Sequence, residues 1–140
     1  MPANTAPIFT LTPEIHWAIS AITVANTTKD LTSGTIYSVF TGGTNGSYVQ
    51  RIRFRTLGQN LASTVARVWI NNGSTTNTAA NNILWDEISL PNTSTAETTA
   101  QANYELPLNF ALPPSYRIYV TLGTAPNAAG WATTIIGGNY

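Results

Sequence analysis

The side chains able to do chemistry are few in this chain, and their spacing is unhelpful to catalysis. There is one histidine, His16, and no cysteine. A single imidazole with no Cys or Asp beside it makes no metal site, and without a G-x-S-x-G turn it has no serine to activate. Zinc-thiolate sites and disulfides are excluded outright. Asp86 and Glu87 are neighbours in a β-rich run, so they would point to opposite faces and cannot act as a carboxylate pair. A long-range pair such as Glu87 with Glu105 has the residue types for glycosidase-like chemistry, but nothing in the pattern joins them. No phosphate-cradling glycine loop and no EF-hand spacing occurs. The expectation is a protein with no cofactor, no metal and no enzymatic activity.

The one concentrated chemical feature is "RIRFR", Arg51 to Arg55, which holds three of the six basic residues. In a strand, residues i, i+2 and i+4 share a face. Arg51, Arg53 and Arg55 therefore form a row on one side, with Ile52 and Phe54 turned into a core. Three adjacent like charges repel, so the row calls for acceptors. Glu87, Glu97, Glu105, backbone carbonyls at a subunit boundary or a partner's carboxylates would serve. Arginine suits such contacts because its planar fork makes paired hydrogen bonds and is weakly hydrated. Three readings stay open: a solvated or internally paired strand face, a protein–protein interface, and a nucleic-acid contact. The last is disfavoured because basic residues elsewhere are too sparse to track a phosphate backbone.

Trp17, Trp69, Trp85 and Trp131 are the other conspicuous set. They could stack on sugar rings, but each lies in or at the start of a β-rich run, where aromatic residues serve packing, so a place in the core or at an interface is expected.

The elements that must position these residues read as strands. "TIYSVF", "SYVQRIRFRTL", "STVARVWIN", "ILWDEISL", "NYELPLNF", "YRIYVTL" and "WATTIIGG" are short and β-rich, and "WAISAITVA" is expected to open the series at Trp17. Turn chemistry separates them, as at Asn45-Gly46 and Asn72-Gly73. "SYVQRIRFRTL" and "STVARVWIN" flank a short polar loop and are expected to pair as an antiparallel hairpin. In "NYELPLNF" the residues Tyr104, Leu106, Leu108 and Phe110 share a face, and Pro107 assigns the run to an edge or a bulge. No sustained 3.6-residue period appears. The fold class expected is all-β, a two-sheet antiparallel sandwich of jelly-roll type. Ile52, Phe54, Val68, Ile70, Leu106, Leu108, Ile118 and Val120 are its expected core. Pro2, Pro7 and Pro13 punctuate the first sixteen residues, so 1–16 reads as an extended arm, with at most a short strand at "IFTLT", and 17–140 as the domain.

With 140 residues the chain suits one domain and can bury about 70% of its unfolded surface. Its charge is low: 9% of residues, net zero, against about 25% in ordinary globular proteins. Net neutrality argues against a general nucleic-acid or membrane binder. So weak a charge leaves little electrostatic defence against association, which fits life inside an assembly. The start lacks the basic and apolar regions of a signal peptide, and no segment reaches transmembrane length. The sequons at Asn26, Asn45, Asn72 and Asn92 then read as by-products of a Thr/Asn-rich composition.

Taken together, "SGTIYSVFTGGTNGSYVQRIRFRTLGQN", "ARVWINNGST", "LWDEISLP" and "YELPLNFALPPSYRIYVTLGTAPNAAGWATTIIGGNY" resemble small virion proteins of tailed bacteriophages. The resemblance runs from Ser33 onward and rests on strand and turn phrases. Its neighbourhood includes capsid decoration (cement) proteins, which are often trimeric β-sandwiches seated on the shell, and tail or fibre components. It implies a structural protein on the outer surface of the capsid, with the major capsid protein and its own copies, as a homotrimer, for partners. No functional residue carries over from it. Contact residues expected from this sequence are Arg51, Arg53 and Arg55, with Pro2, Pro7 and Pro13 in the arm. The competing expectation is a carbohydrate-binding module for host-surface recognition. Tryptophans exposed together on one face would favour that module; buried or subunit-facing ones would favour the virion protein.

Overall fold

A computed structural model describes residues 10–57, 60–127 and 129–140. Eight strands form two four-stranded antiparallel sheets: β1 (Thr12–Trp17), β2 (Tyr37–Thr41), β3 (Ser47–Thr56), β4 (Thr64–Asn71), β5 (Asn82–Leu90), β6 (Tyr104–Leu112), β7 (Arg117–Leu122) and β8 (Trp131–Asn139). One sheet, here sheet A, has the order β1-β8-β3-β6; the other, sheet B, has β2-β7-β4-β5. Among the connections, only β4–β5 stays within a sheet. Every other one crosses the sandwich, which is the jelly-roll arrangement expected from the strand spacing.

The alternating strands fill the space between the sheets. Val49, Ile52 and Phe54 of β3 meet Val68 of β4, Ile118, Val120 and Leu122 of β7 and Ile135 of β8, all fully buried. Of the eight expected core residues, Ile70 and Leu106 are only partly buried at its margin.

A bulge at Gln50 explains how β3 serves both faces. Val49 pairs with Gly137 but Arg51 pairs with Ile136, so Gln50 is extra and the alternation slips by one. Val49 and Ile52 therefore both point inward. From Arg51 on, the three arginines share the outer face. On β6, Pro107 lies on an edge strand and beside the matching irregularity, where Asn109 has φ 51°. This is the placement its missing N–H demands.

Three expectations are corrected. First, β3 and β4 are not a hairpin. They lie in different sheets, and the connection between them carries Leu61, buried beneath the sandwich end and tied to Thr93 by two hydrogen bonds. Alternation identifies strands but does not choose their partners; the strand order places β3 and β4 in different sheets, so the connection is a crossover. Second, "WAISAITVA" is not a strand: β1 ends at Trp17, and the chain beyond makes only isolated bridges at Ile22 and Ala25. Third, the strand lies inside the segment read as an arm. Thr12–Trp17 pairs along β8, so Pro13 belongs to the sandwich. Ala18 donates to the Thr133 carbonyl at 3.1 Å. With the two-residue alternation of a ladder, Pro13 then faces the open edge, where no donor is needed. Pro2 and Pro7 lie outside the described residues.

The segment between β1 and β2 covers the outside of sheet B. Asn26 organises it: its Nδ2 donates to the carbonyls of Ser33 (2.9 Å) and Thr35 (3.0 Å), and its Oδ1 accepts from Thr28 N (3.0 Å) and Thr28 Oγ1 (2.6 Å). Gly34 has φ +79°, and a Cβ there would collide with the Asn26 amide. The turn delivers Leu31 and Ile36 onto Trp69 and Tyr119, a second small core outside the main one.

Candidate protein-contact face

Among the described residues the outer side of sheet A has no such cover. Its cross-strand rows follow from the register. Ile15, Ile136, Arg51 and Pro107 make one row; Trp17, Thr134, Arg53 and Glu105 make the next. Ala132 and Arg55 begin a third. Ile15 is 61% and Trp17 65% exposed. The face is therefore apolar along β1 and cationic along β3, two strands away.

Glu105 is the acceptor that the arginine row required. Arg53 Nε donates to Glu105 Oε1 at 2.6 Å. Arg51 Nε, itself shielded from solvent, lies 3.8 Å from Glu105 Oε2, close enough for attraction but too long for a hydrogen bond. These groups are about one-third exposed, so each pair contributes about 0–1 kcal/mol. Glu87, another expected acceptor, is held instead by Arg67 Nε at 2.7 Å on sheet B. Arg55 forms no ion pair among the described residues. The row thus keeps uncompensated charge: Arg51 and Arg53 share one carboxylate, and Arg55 has none among the described residues.

The tryptophans split into two kinds. Trp69 and Trp131 are fully buried. Trp69 Nε1 donates to Thr121 Oγ1 at 3.0 Å, and Trp131 packs edge-on against Tyr104. Trp17 and Trp85 are exposed at opposite flanks of the sandwich. Trp17 is on edge strand β1, and Trp85 is the extra residue of a bulge on edge strand β5, its ring 4.9 Å from that of Phe110 on β6. Rings so placed form no common platform for a sugar chain.

The remaining candidates are structural. His16 packs edge-on against Phe40, ring centroids 5.1 Å apart, and hydrogen-bonds Glu14 Oε2 at 2.8 Å. Glu14 Oε1 accepts from Asn139 Nδ2, and Asn139 Oδ1 accepts from buried Ser47, so this chain of polar groups ties β1, β8 and β3 together. His16 does not reach Ser47 and cannot act as its base. A groove of about 440 Å³ between the ends of β1 and β2 is lined mainly by Trp17, Ile19, Ile36, Tyr37 and Phe40, with His16 its one imidazole. Among the described residues no cluster of three or more potential metal ligands occurs. No described helix is long and apolar enough to cross a membrane. Asn26, the first sequon, is 3% exposed and donates both amide hydrogens, which leaves no room for a glycan.

Ile15 is a contact candidate that the sequence did not bring forward, and Trp17 stood out only as one of the four tryptophans. Their signal was present in "LTPEIHW", where Leu11, Pro13, Ile15 and Trp17 alternate with Thr12, Glu14 and His16. The apolar set faces outward here, the reverse of the usual sense. The chain matches no protein-family model, no curated protein and no solved structure.

Proposed function

We propose that this protein is a structural subunit that acts by docking on other protein subunits, and that its assembly is the head of a tailed bacteriophage. In that role it sits on the outer capsid surface as a decoration (cement) protein, bridging copies of the major capsid protein and associating with itself as a homotrimer. The observation that carries the docking reading is the unequal treatment of the two outer faces. Sheet B is covered by the protein's own Asn26-organised loop, whereas among the described residues nothing covers Ile15 and Trp17 on sheet A, beside three arginines. Exposed apolar surface of this kind, rimmed by polar groups, marks interaction sites. The phage assignment rests on the resemblance of the strand and turn phrases from Ser33 onward. The opposed positions of Trp17 and Trp85 favour this reading over a carbohydrate-binding module.

The test is occupancy. Purified heads of a phage whose structural genes include this sequence are stripped of it, and the protein is added back. Binding at fixed lattice positions in cryo-microscopy, with heads more resistant to heat, is the expected result. Density confined to tails, or no binding to heads, overturns the decoration role.

A further inference from the structure

Two strips of this surface match one another. On sheet A, the exposed Ile15 and Trp17 lie two strands, about 10 Å, from Arg51 and Arg53, and Trp17 lies about 12 Å from Arg55, two residues further along β3. That row has net charge +2, three arginines against Glu105, and Arg55 has no ion-pair partner among the described residues. Since the whole chain is neutral, the rest of it carries −2. On the opposite flank, β5 exposes Ile83, Leu84 and Trp85, followed by the exposed acids Asp86 and Glu87. Glu87 is engaged by Arg67, while among the described residues Asp86 meets no cation and accepts only the Glu87 N–H at 2.7 Å. From Ile83 to Asp86 is three residues, again about 10 Å along a strand. Each strip thus holds one exposed tryptophan, one exposed isoleucine and an uncompensated charge, and the two charges are opposite.

We propose that the β5 strip of one copy docks on the outer face of sheet A of a second copy, with Asp86 meeting Arg55 and the apolar residues covering one another. The reading of the protein as an assembly subunit underlies this inference, but the contact needs no capsid. The two strips lie on different sides of one molecule, so the contact is head-to-tail. Such contacts close into rings when the rotation allows. A three-membered ring would be the homotrimer proposed above.

The purified protein tests it, by sedimentation velocity at about 100 µM in low salt, where screening of the charge pair is weak. Two variants each damage one strip at exposed positions with neutral replacements: Trp17→Thr with Arg55→Ser, and Ile83→Thr with Asp86→Ser. Each alone is expected to be monomeric with unchanged circular dichroism. Mixed 1:1, they retain one intact pair of strips and are expected to give a heterodimer and nothing larger. A third variant, Arg55→Glu with Asp86→Lys in one chain, keeps the apolar residues and swaps the charges, and should recover association. A wild type that stays monomeric overturns the proposal. So does assembly by either single-strip variant at wild-type strength, or a mixture that remains monomeric. If a strip variant fails to fold, the charge-swapped chain against Arg55→Glu alone decides: equal association of the two refutes the pairing. Capsid occupancy is measured separately, so self-contact and decoration stand or fall independently.

Discussion

Replacing Asn26 by alanine tests the feature that makes the two faces unequal. The side chain is 3% exposed and takes part in four hydrogen bonds. Removing it leaves the carbonyls of Ser33 and Thr35 and the N–H of Thr28 without their partner. The Thr28 hydroxyl loses less, because it already lies 3.2 Å from the Ser33 carbonyl and can donate there instead. Three lost bonds at a net 1 kcal/mol each amount to about 3 kcal/mol. For a domain of this size that corresponds to a fall in Tm of about 10 °C. Urea unfolding followed by circular dichroism gives the free energy. The exposed Asn72→Ala is the control: its amide bonds Ser74 N and Asn81 Oδ1 at the surface, where water replaces them, and about 0.5 kcal/mol is expected. Because Leu31 and Ile36 ride on the Asn26 turn, Asn26→Ala should also speed hydrogen exchange over 26–36 and expose Trp69 to quenchers. The β3–β8 amides, which the turn does not touch, should exchange as before at matched stability. An Asn26→Ala loss within 1 kcal/mol of the Asn72→Ala loss would refute the assignment of Asn26 as organiser of the cover.

Two further outcomes follow from local geometry. Asp30 Oδ1 accepts from Thr32 N (3.1 Å) and Thr32 Oγ1 (2.9 Å), and these bonds hold its carboxyl below the usual range. A carboxylate depressed in the folded state contributes stability above its unfolded value, near 3.9, and loses it as pH falls through the folded value; carboxyl NMR should show Asp30 titrating below that value and moving back up in Thr32→Val, and a midpoint at or above it would contradict the bonding. Gly137→Ala should destabilise by about 1–3 kcal/mol in urea, since the new Cβ would press on the Tyr48 carbonyl beside the Gln50 bulge, and a neutral result would mean that the bulge yields freely.

What the sequence disclosed depended on the range of the interaction. Tyr104, Leu106, Leu108 and Phe110 announce β6 because alternation is local, and Pro107 announces an edge because a missing donor has one consequence wherever it sits. The arginine row was legible from Arg51 because the bulge at Gln50 precedes it; a bulge two residues later would have split it between the faces. The partners of β3 were not legible, because alternation is identical in a hairpin and in a crossover. Nor was the cover on sheet B, since Asn26 holds it through backbone carbonyls seven and nine residues away that any sequence would supply. Ile15 was read only as part of an arm, and Trp17 was left between core and interface, because an apolar alternation does not say which side is dry. That requires knowing that β1 is an edge strand and that its other side already meets β2 and the core.

The edges of the two sheets bear on how this protein can associate. An open sheet edge invites another strand, and natural proteins blunt such edges with bulges, prolines or charges. Here β2 carries an extra residue at Val39, β5 at Trp85, and β6 has Pro107 beside its irregularity. Only β1 pairs along its length without a register shift. Its open side presents the backbone of Pro13, which has no N–H, and then only Ile15 and Trp17. An added strand would find two residues to pair with, too short a ladder to offset the ordering of a free segment. Backbone pairing is therefore a poor route to assembly at all four edges. The side chains of Ile15 and Trp17 project from the same strand onto the bare face, where apolar area and guanidinium groups are available together. Association through that face needs no ordering of a new strand and leaves both sheets intact. For this reason Trp17 and Arg55, more than the residues preceding Thr12, are the positions at which to look first for a partner.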